Sequence, residues 1–316
     1  MNNWIGLRSL SSLGARRVNF AELLGCHPEA LSGPVWQAIN AGNFKHRVLD
    51  ELEQQETQLQ VAKYLATGIL SSVSDDSVYK DRLALWDRCY GESAILPPFL
   101  VKPVNQPVRL NGRYVMPESQ LFEADFLAVV RAYLFDKYFT NLNTVAEFGC
   151  GTGHNLLSLA KQQPGKVVFG LDWSKQALEH VRKMTQQGVN AHAVEFDLLN
   201  PAPQCSYYNL RHIGVLTVGA LEQVGKRFDE FLCFLLSRRP PIIVHLEPII
   251  ELYDENDPFD QLAIHYQQAR GYLEGYLPAV QRLARYGLAE ILEVHRIPFG
   301  SFYHEAYTII VWRPTL

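Results

Sequence analysis

The segment "TVAEFGCGTGHNLLSLA" limits what this chain can become more than any other stretch of it. A short apolar run ends in Glu147-Phe148-Gly149-Cys150-Gly151-Thr152-Gly153 and passes straight into a helical pattern, giving the order strand, glycine turn, helix. A chain that turns so sharply needs residues without a Cβ, and so does a backbone that must touch a ligand. A glycine turn alone is weak evidence of a site, so its spacing decides. In dinucleotide-binding sheets the third glycine stands three positions after the second, and pyrophosphate rests on the helix N-terminus. Here that position is His154, the third glycine comes one residue earlier, and Glu147 stands two residues before the first. A carboxylate there repels a pyrophosphate and suits a ligand with a cationic amino group.

Around this turn the text alternates strands with helices. Strands are expected at "TVAEFG", "VVFGLD", "AHAVEFD", "IGVLTVG", "PIIVHLEP", "AEILEVHRI" and "AYTIIVWRP", which implies an α/β fold with a parallel sheet and helices on both faces. The N-terminal part reads differently. "NFAELLGCHPEALSGPVWQAINAG" and "VLDELEQQETQLQVAKYLATGILSSV" have helical periodicity, the second with Val48, Leu52, Leu59, Ala62, Ala66 and Ile69 roughly on one face and Gln55 as an exception to the polar remainder. The stretch near residues 95 to 118 carries five prolines and an Asn111-Gly112 pair between "VRL" and "RYV", a hairpin or loop signal. We therefore divide the chain into a mainly helical module over 1–118 and a second domain over 119–316.

Composition narrows the class. With 47% hydrophobic and 20% charged residues there is ample material for a core, and a net charge of −4 without long runs of one sign offers nucleic-acid phosphates no footprint. Five scattered cysteines without a Cys-x-x-Cys pair fit a reducing compartment and hence a cytoplasmic location. No apolar run reaches the ~18 residues that stable membrane insertion needs. The first twenty residues, basic and without an acid, resemble a transit peptide loosely, but such starts are common and a mobile or surface-packed arm is the preferred reading.

"EFGCGTG" is similar to the acidic glycine loop of the class I S-adenosylmethionine (SAM)-dependent methyltransferase superfamily, and the resemblance covers about residues 120 to 316. It implies a doubly wound, mostly parallel seven-stranded sheet with an antiparallel terminal strand, and SAM as cofactor. It implies that Glu147, Gly149, Cys150, Gly151 and Gly153 surround the methionine part. Asp172, in "GLDWS", matches the acid that receives the ribose hydroxyls, and a carboxylate has two oxygens to offer them. Asp172 also suits a helix cap, although Ser174 fills that role by itself. Asp197, in "VEFDLLN", resembles the acid that accepts the adenine amino group, with Phe196, Leu198 and Trp173 about the ring.

The acceptor side is less explicit. Glu222, after the fourth strand, could face an acceptor or serve the following helix as a dipole partner. His245 and Glu247, two apart near the end of the fifth strand, share a face and could remove a proton from a hydroxyl; a buried, hydrogen-bonded histidine is the alternative. His304, in what resembles the terminal hairpin, is a further candidate. Tyr253, Tyr266, Tyr272 and Tyr276 either line a pocket or pack the insertion against the N-terminal module. Glu251, Asp254, Glu255, Asp257 and His265 have no metal-ligand spacing and read as a solvated loop, with Asp257-Pro258 starting a helix. No Asn-Pro-Pro-Tyr type sequence follows the fourth strand, which argues against methylation of DNA adenine or of glutamine amide. The expectation is an enzyme methylating a small metabolite or a sugar- or lipid-linked precursor, preferably on oxygen. A protein or peptide methyltransferase, and a noncatalytic subunit that keeps the fold, are the alternatives. The displaced third glycine and Glu147 speak against a nicotinamide-dependent oxidoreductase.

Overall fold

The computed structural model describes residues 18–67, 96–201 and 210–315. The basic N-terminal arm, Ile69, Cys89 and Cys205 lie outside them. In chain order come α1 (Phe20–Leu23), α2 (Gly33–Ala41), β1 (His46–Val48), α3 (Glu51–Ala66), β2 (Val108–Leu110), β3 (Arg113–Pro117) and α4 (Phe122–Leu134). Then follow β4 (Thr144–Phe148), α5 (His154–Gln162), β5 (Val167–Asp172), α6 (Lys175–Gln186), β6 (Ala191–Glu195), β7 (Ile213–Val218), α7 (Asp229–Arg238) and β8 (Ile243–Glu247). The chain closes with α8 (Pro258–Arg270), α9 (Tyr276–Arg285), β9 (Ala289–Arg296), β10 (Phe299–Gly300) and β11 (Thr308–Pro314).

The main sheet has seven strands in the order β6-β5-β4-β7-β8-β11-β9. Strands β4 to β8 are parallel, and β11 runs antiparallel between β8 and β9. All seven strands fall on the segments expected from sequence. Alternate strand residues feed two cores, as a two-residue period requires. Val145, Val168, Leu216, Val244 and Val311 join α4 and the N-terminal Phe20, Leu23 and Val35 on one face. Phe148, Leu171, Val215, Ile243, Ile310 and Trp312 meet Phe231, Tyr276 and Val280 on the other. Strand order reverses at β4, where neighbouring crossovers leave in opposite directions and open α/β sheets bind their ligands.

The N-terminal part adds a small antiparallel sheet, β1-β3-β2-β10. Asn111 (φ 52°) and Gly112 (φ 71°) form the two-residue turn of its hairpin, since both positions demand a left-handed backbone. The chain near the C-terminus completes this sheet, because Phe299 and Gly300 pair with Leu110 and Arg109.

One sequence expectation fails here. Leu52 and Leu59 of α3 are exposed, and the helix buries Thr57 and Val61 instead. Its rotation is set at its start: Asp50 and Glu53 form a capping box, and the Gln54 side chain bonds the Leu49 carbonyl and both the amide and the carbonyl of Tyr114. These anchors outweigh the weak apolar periodicity and turn Val61 toward Tyr114, Met116, Phe259 and Phe302.

A buried ionic cluster joins three parts of the chain. Arg109, fully buried on β2, donates to the Phe259 carbonyl (3.1 Å), pairs with Asp260 (3.4 Å) and lies 3.5 Å over the Phe259 ring. Arg296 binds both Asp260 and Glu305. The cluster fixes α8 and the 299–305 segment against the N-terminal sheet.

Candidate functional site

The strand tips around the switch point open on a cavity of about 400 Å³. Its floor is the glycine turn. Gly149, Gly151 and Gly153 all have positive φ (71°, 52° and 71°), which only glycine adopts cheaply. A Cβ on Gly149 would stand 2.5 Å from Ala220 Cβ, whereas one on Gly219, the residue before Ala220, would meet nothing within 4 Å. Gly149, Cys150 and Gly151 line the cavity; Gly153 instead lets α5 start against α6, where a Cβ would meet Met184 Sδ at 2.9 Å.

Asp172, at the tip of β5, lines the cavity and is almost fully buried. Its two oxygens accept from Gly151 N–H (3.0 Å) and Ser174 N–H (2.9 Å), while Ser174 caps α6 through Ala177 N–H. The cap of α6 is thus Ser174, and the carboxylate of Asp172 that ties the turn also lines the cavity. Trp173, Phe196 and Leu198 line the same end. Asp197 lies beside it, outside the lining, with Oδ1 accepting from Leu199 N–H at 2.9 Å.

Glu147 lies beneath the turn and does not line the cavity. It is fully buried; Oε1 accepts from Asn155 Nδ2 (2.5 Å), and Oε2 has no hydrogen-bond partner. Burial pushes its carboxyl up to about 8, against the pull of Asn155 and Arg131 and with Asp172 and Glu247 adding repulsion. Asn155, which does line the cavity, accepts in turn from Arg131 Nη1 at 2.9 Å. Nothing in the sequence marked Arg131 or Asn155, since their roles depend on α4 and α5 crossing.

The two strand-borne acceptor candidates both face inward. His245 is fully buried and outside the cavity lining. Its Nε2 meets the Trp312 indole N–H (3.2 Å), which can only donate, and the Tyr276 hydroxyl (2.7 Å). Nε2 therefore accepts, and Nδ1 carries the proton toward Thr217 Oγ1 at 2.8 Å. Burial pushes this histidine down to about 3, so it stays neutral. Glu247, equally buried, accepts from Ala220 N–H (3.1 Å) and Glu222 N–H (3.2 Å) and is pushed up to about 7 by burial, which the Thr217 hydroxyl and these amides oppose. It anchors the turn after β7 rather than facing an acceptor.

Glu222 and His304 do line the cavity, together with Tyr266, Arg270, Tyr272 and Tyr303. His304 is almost fully buried, stacks on Tyr266 (centroids 5.0 Å apart) and has no hydrogen-bond partner at Nδ1. Burial, then the nearby cations Arg109, Lys102 and Arg270, push it down to about 3. Of the four tyrosines considered in the insertion, Tyr266 and Tyr272 reach the cavity, while Tyr253 is held by the Glu305 backbone and Tyr276 by His245. The loop acids serve the backbone: Asp257 caps α8 and Glu251 accepts from Gly275 N–H. Among the described residues no group of three or more His, Cys, Asp or Glu side chains is arranged to hold a metal ion, and no helix is long and apolar enough to cross a membrane.

Residues 145–231 match the family model described as "Methyltransferase domain". No curated protein sequence matches the chain. Among solved structures, the chain is similar to the N,N-8-amino-8-demethyl-D-riboflavin dimethyltransferase of Streptomyces davawensis, with 16% identity and a TM-score of 0.41 over 62% of this chain and 57% of that one. A SAM-dependent methyltransferase from Aquifex aeolicus gives 13% identity and a TM-score of 0.40 over 59% of this chain and 89% of that one. An O-methyltransferase from neocarzinostatin biosynthesis, in complex with S-adenosyl-L-homocysteine (SAH) and 1,4-dihydroxy-2-naphthoic acid, gives 14% and 0.38 over 61% and 58%. The chain thus spans less than two thirds of the length of the first of these relatives.

Proposed function

We propose, from the premise that residues 145–231 belong to the methyltransferase domain family, that this protein transfers a methyl group from SAM to a small-molecule acceptor, with a hydroxyl oxygen as the preferred target. The observation that carries the reading is the left-handed glycine turn tied to Asp172 on the floor of the cavity. The residues fit SAM: two carboxylate oxygens at the tip of β5 match the paired hydroxyls of a ribose, and Trp173, Phe196 and Leu198 offer apolar surface for a purine. Asp197, beside them, is the acid for the adenine amino group. When bound, SAM supplies an electrophilic methyl carbon on a sulfonium.

This chain's own contribution is alignment and exclusion of water. Glu247 holds the turn after β7 through the amides of Ala220 and Glu222, and so sets the wall that carries Glu222. His245 stabilises the strand beneath and takes no part in proton transfer. Of the four acceptor-side candidates, Glu222 and His304 remain. His304 is held neutral, and its unpartnered ring nitrogen can accept a hydrogen bond that orients an acceptor hydroxyl, while Glu222, on the same lining, is the carboxylate that can take the proton. Tyr266, Tyr272 and Tyr303 make this end aromatic, which supports a small acceptor over a peptide or a glycan chain. The module over 1–118 then acts as a cap, with a cytoplasmic setting in keeping with free thiols at Cys26, Cys150 and Cys233.

Calorimetric titration with SAH and with NAD tests the cofactor, and Asp172→Ala tests the site. SAH binds, NAD does not, and the substitution weakens SAH about tenfold or more, because it removes charge-assisted hydrogen bonds. Binding of NAD in place of SAH would overturn the reading. A panel of hydroxylated small molecules with methyl-labelled SAM then tests the acceptor class.

A further inference from the structure

We propose that Lys102 and Glu123 form the receptor for the zwitterionic methionine end of SAM, so that the N-terminal module supplies part of the cofactor site. The inference rests on the methyltransferase reading above and goes beyond it in assigning residues outside the glycine turn and the strand tips.

Three segments meet at this point of the cavity wall. Lys102 comes from the Pro-rich stretch before β2, Glu123 from the first turn of α4, and Tyr307 from the residue before β11; all three line the cavity. Lys102 Nζ lies 2.7 Å from Glu123 Oε2, with side-chain exposures of 14% and 4%, and the Tyr307 hydroxyl donates to Glu123 Oε1 at 2.8 Å. The group is linked to the glycine turn through Arg131. Tyr307 and Arg131 influence each other electrostatically, and Arg131 holds Asn155, which holds Glu147 under the turn. Arg270, a second cation on the lining, is engaged with Tyr266, Tyr272 and Glu222.

Chemistry then selects the ligand group. A buried pair of opposite charges facing a cavity gains little stability from being there. As a tether it is also redundant, since the Lys102 amide and carbonyl already bond Gln120. A lone anion or cation docking on a neutral pair leaves one charge unbalanced, whereas an α-amino acid presents both signs on a single carbon. Lys102 donates one of its three N–H groups to Phe99 O and ion-pairs with Glu123, which leaves donor capacity for a carboxylate. Each oxygen of Glu123 has a second lone pair for an ammonium. Glu147 lies outside the lining, whereas Glu123 lines the cavity beside the cation that a zwitterion also needs.

The test compares SAH with 5′-methylthioadenosine, which keeps the nucleoside and the sulfur but lacks the zwitterion, by calorimetric titration of the full chain. Wild-type protein binds SAH more tightly. Lys102→Met and Glu123→Gln each weaken SAH about tenfold or more, the scale of a lost charge-assisted hydrogen bond, and leave methylthioadenosine within about twofold. Unchanged SAH affinity in both variants, or an equal loss for both ligands, would overturn the assignment. Wild-type protein that binds neither ligand would instead sink the methyltransferase reading and this inference with it.

Discussion

Replacing Gly149 by alanine tests the geometry of the turn directly. At φ 71° an L-residue is in the left-handed region, which costs about 1–2 kcal/mol. The new Cβ would also lie 2.5 Å from Ala220 Cβ and 3.6 Å from Ala220 Cα. Ala220 cannot easily withdraw, because its amide is held by Glu247, and on the other side Gly149 N–H is held by the Leu171 carbonyl at 2.7 Å. Forcing extra volume into a packed site costs about 1–3 kcal/mol more, for a total of about 2–5 kcal/mol. Gly165 is the control: its φ is 91°, and a Cβ there meets nothing within 4 Å, so Gly165→Ala carries the conformational cost alone. Urea denaturation at neutral pH, with matching slopes, measures both. Gly149→Ala is the more destabilising by about 1–3 kcal/mol, and it weakens SAH because the turn must shift. Equal destabilisation by the two substitutions would refute the argument that close approach, rather than backbone freedom alone, requires glycine at this point.

The carboxyl of Glu147 titrates near 8 in the fold and near 4.5 when unfolded, so the folded state binds the extra proton between those values and loses stability as pH rises through that window. Relative to Glu147→Gln, which keeps the bond from Asn155, wild-type stability therefore falls by about 1.4 kcal/mol per pH unit across this range and levels off above it, as denaturation at several pH values will show; parallel profiles would refute the burial argument. Arg109→Met leaves Asp260 and Glu305 buried with Arg296 as their remaining cation and costs about 3–5 kcal/mol, measurable as a fall in denaturation midpoint, while SAH affinity in the still-folded protein stays within about twofold because the cluster serves the acceptor end.

The legible parts of this protein are those whose cause is local. Each strand of the main sheet is a short apolar run with turn residues at its ends, and the turn at Gly149 to Gly153 combines three left-handed positions that only glycine fills cheaply. Asn111-Gly112 and Asp257-Pro258 announce a hairpin and a helix start for the same reason. The face of α3 was not legible, because Gln54 reaches Tyr114, sixty positions away in the chain, and that contact sets the helix's rotation. Lys102 and Glu123 were equally hidden: the Pro-rich stretch and α4 meet only in the fold.

His245 and Glu247 show the limit of periodicity most clearly. Two residues apart on β8, they share a face, as alternation demands, and the sequence makes them look like a pair. What separates them is the cover each receives. Tyr276 of α9 and Trp312 of β11 close over His245 and engage its acceptor nitrogen, so it becomes a core residue with every polar atom satisfied. Glu247 sits one step nearer the open end, where the chain leaving β7 folds across and presents the amides of Ala220 and Glu222. The same face thus produces a sealed histidine and a backbone anchor, and neither meets the acceptor. His304, which does line the cavity, stands instead on a segment clamped by Arg109 and Arg296 through the adjacent Glu305. Loosening the ionic cluster is therefore expected to disturb the segment that carries His304 first, while the strand tips, held by the main sheet, keep their geometry.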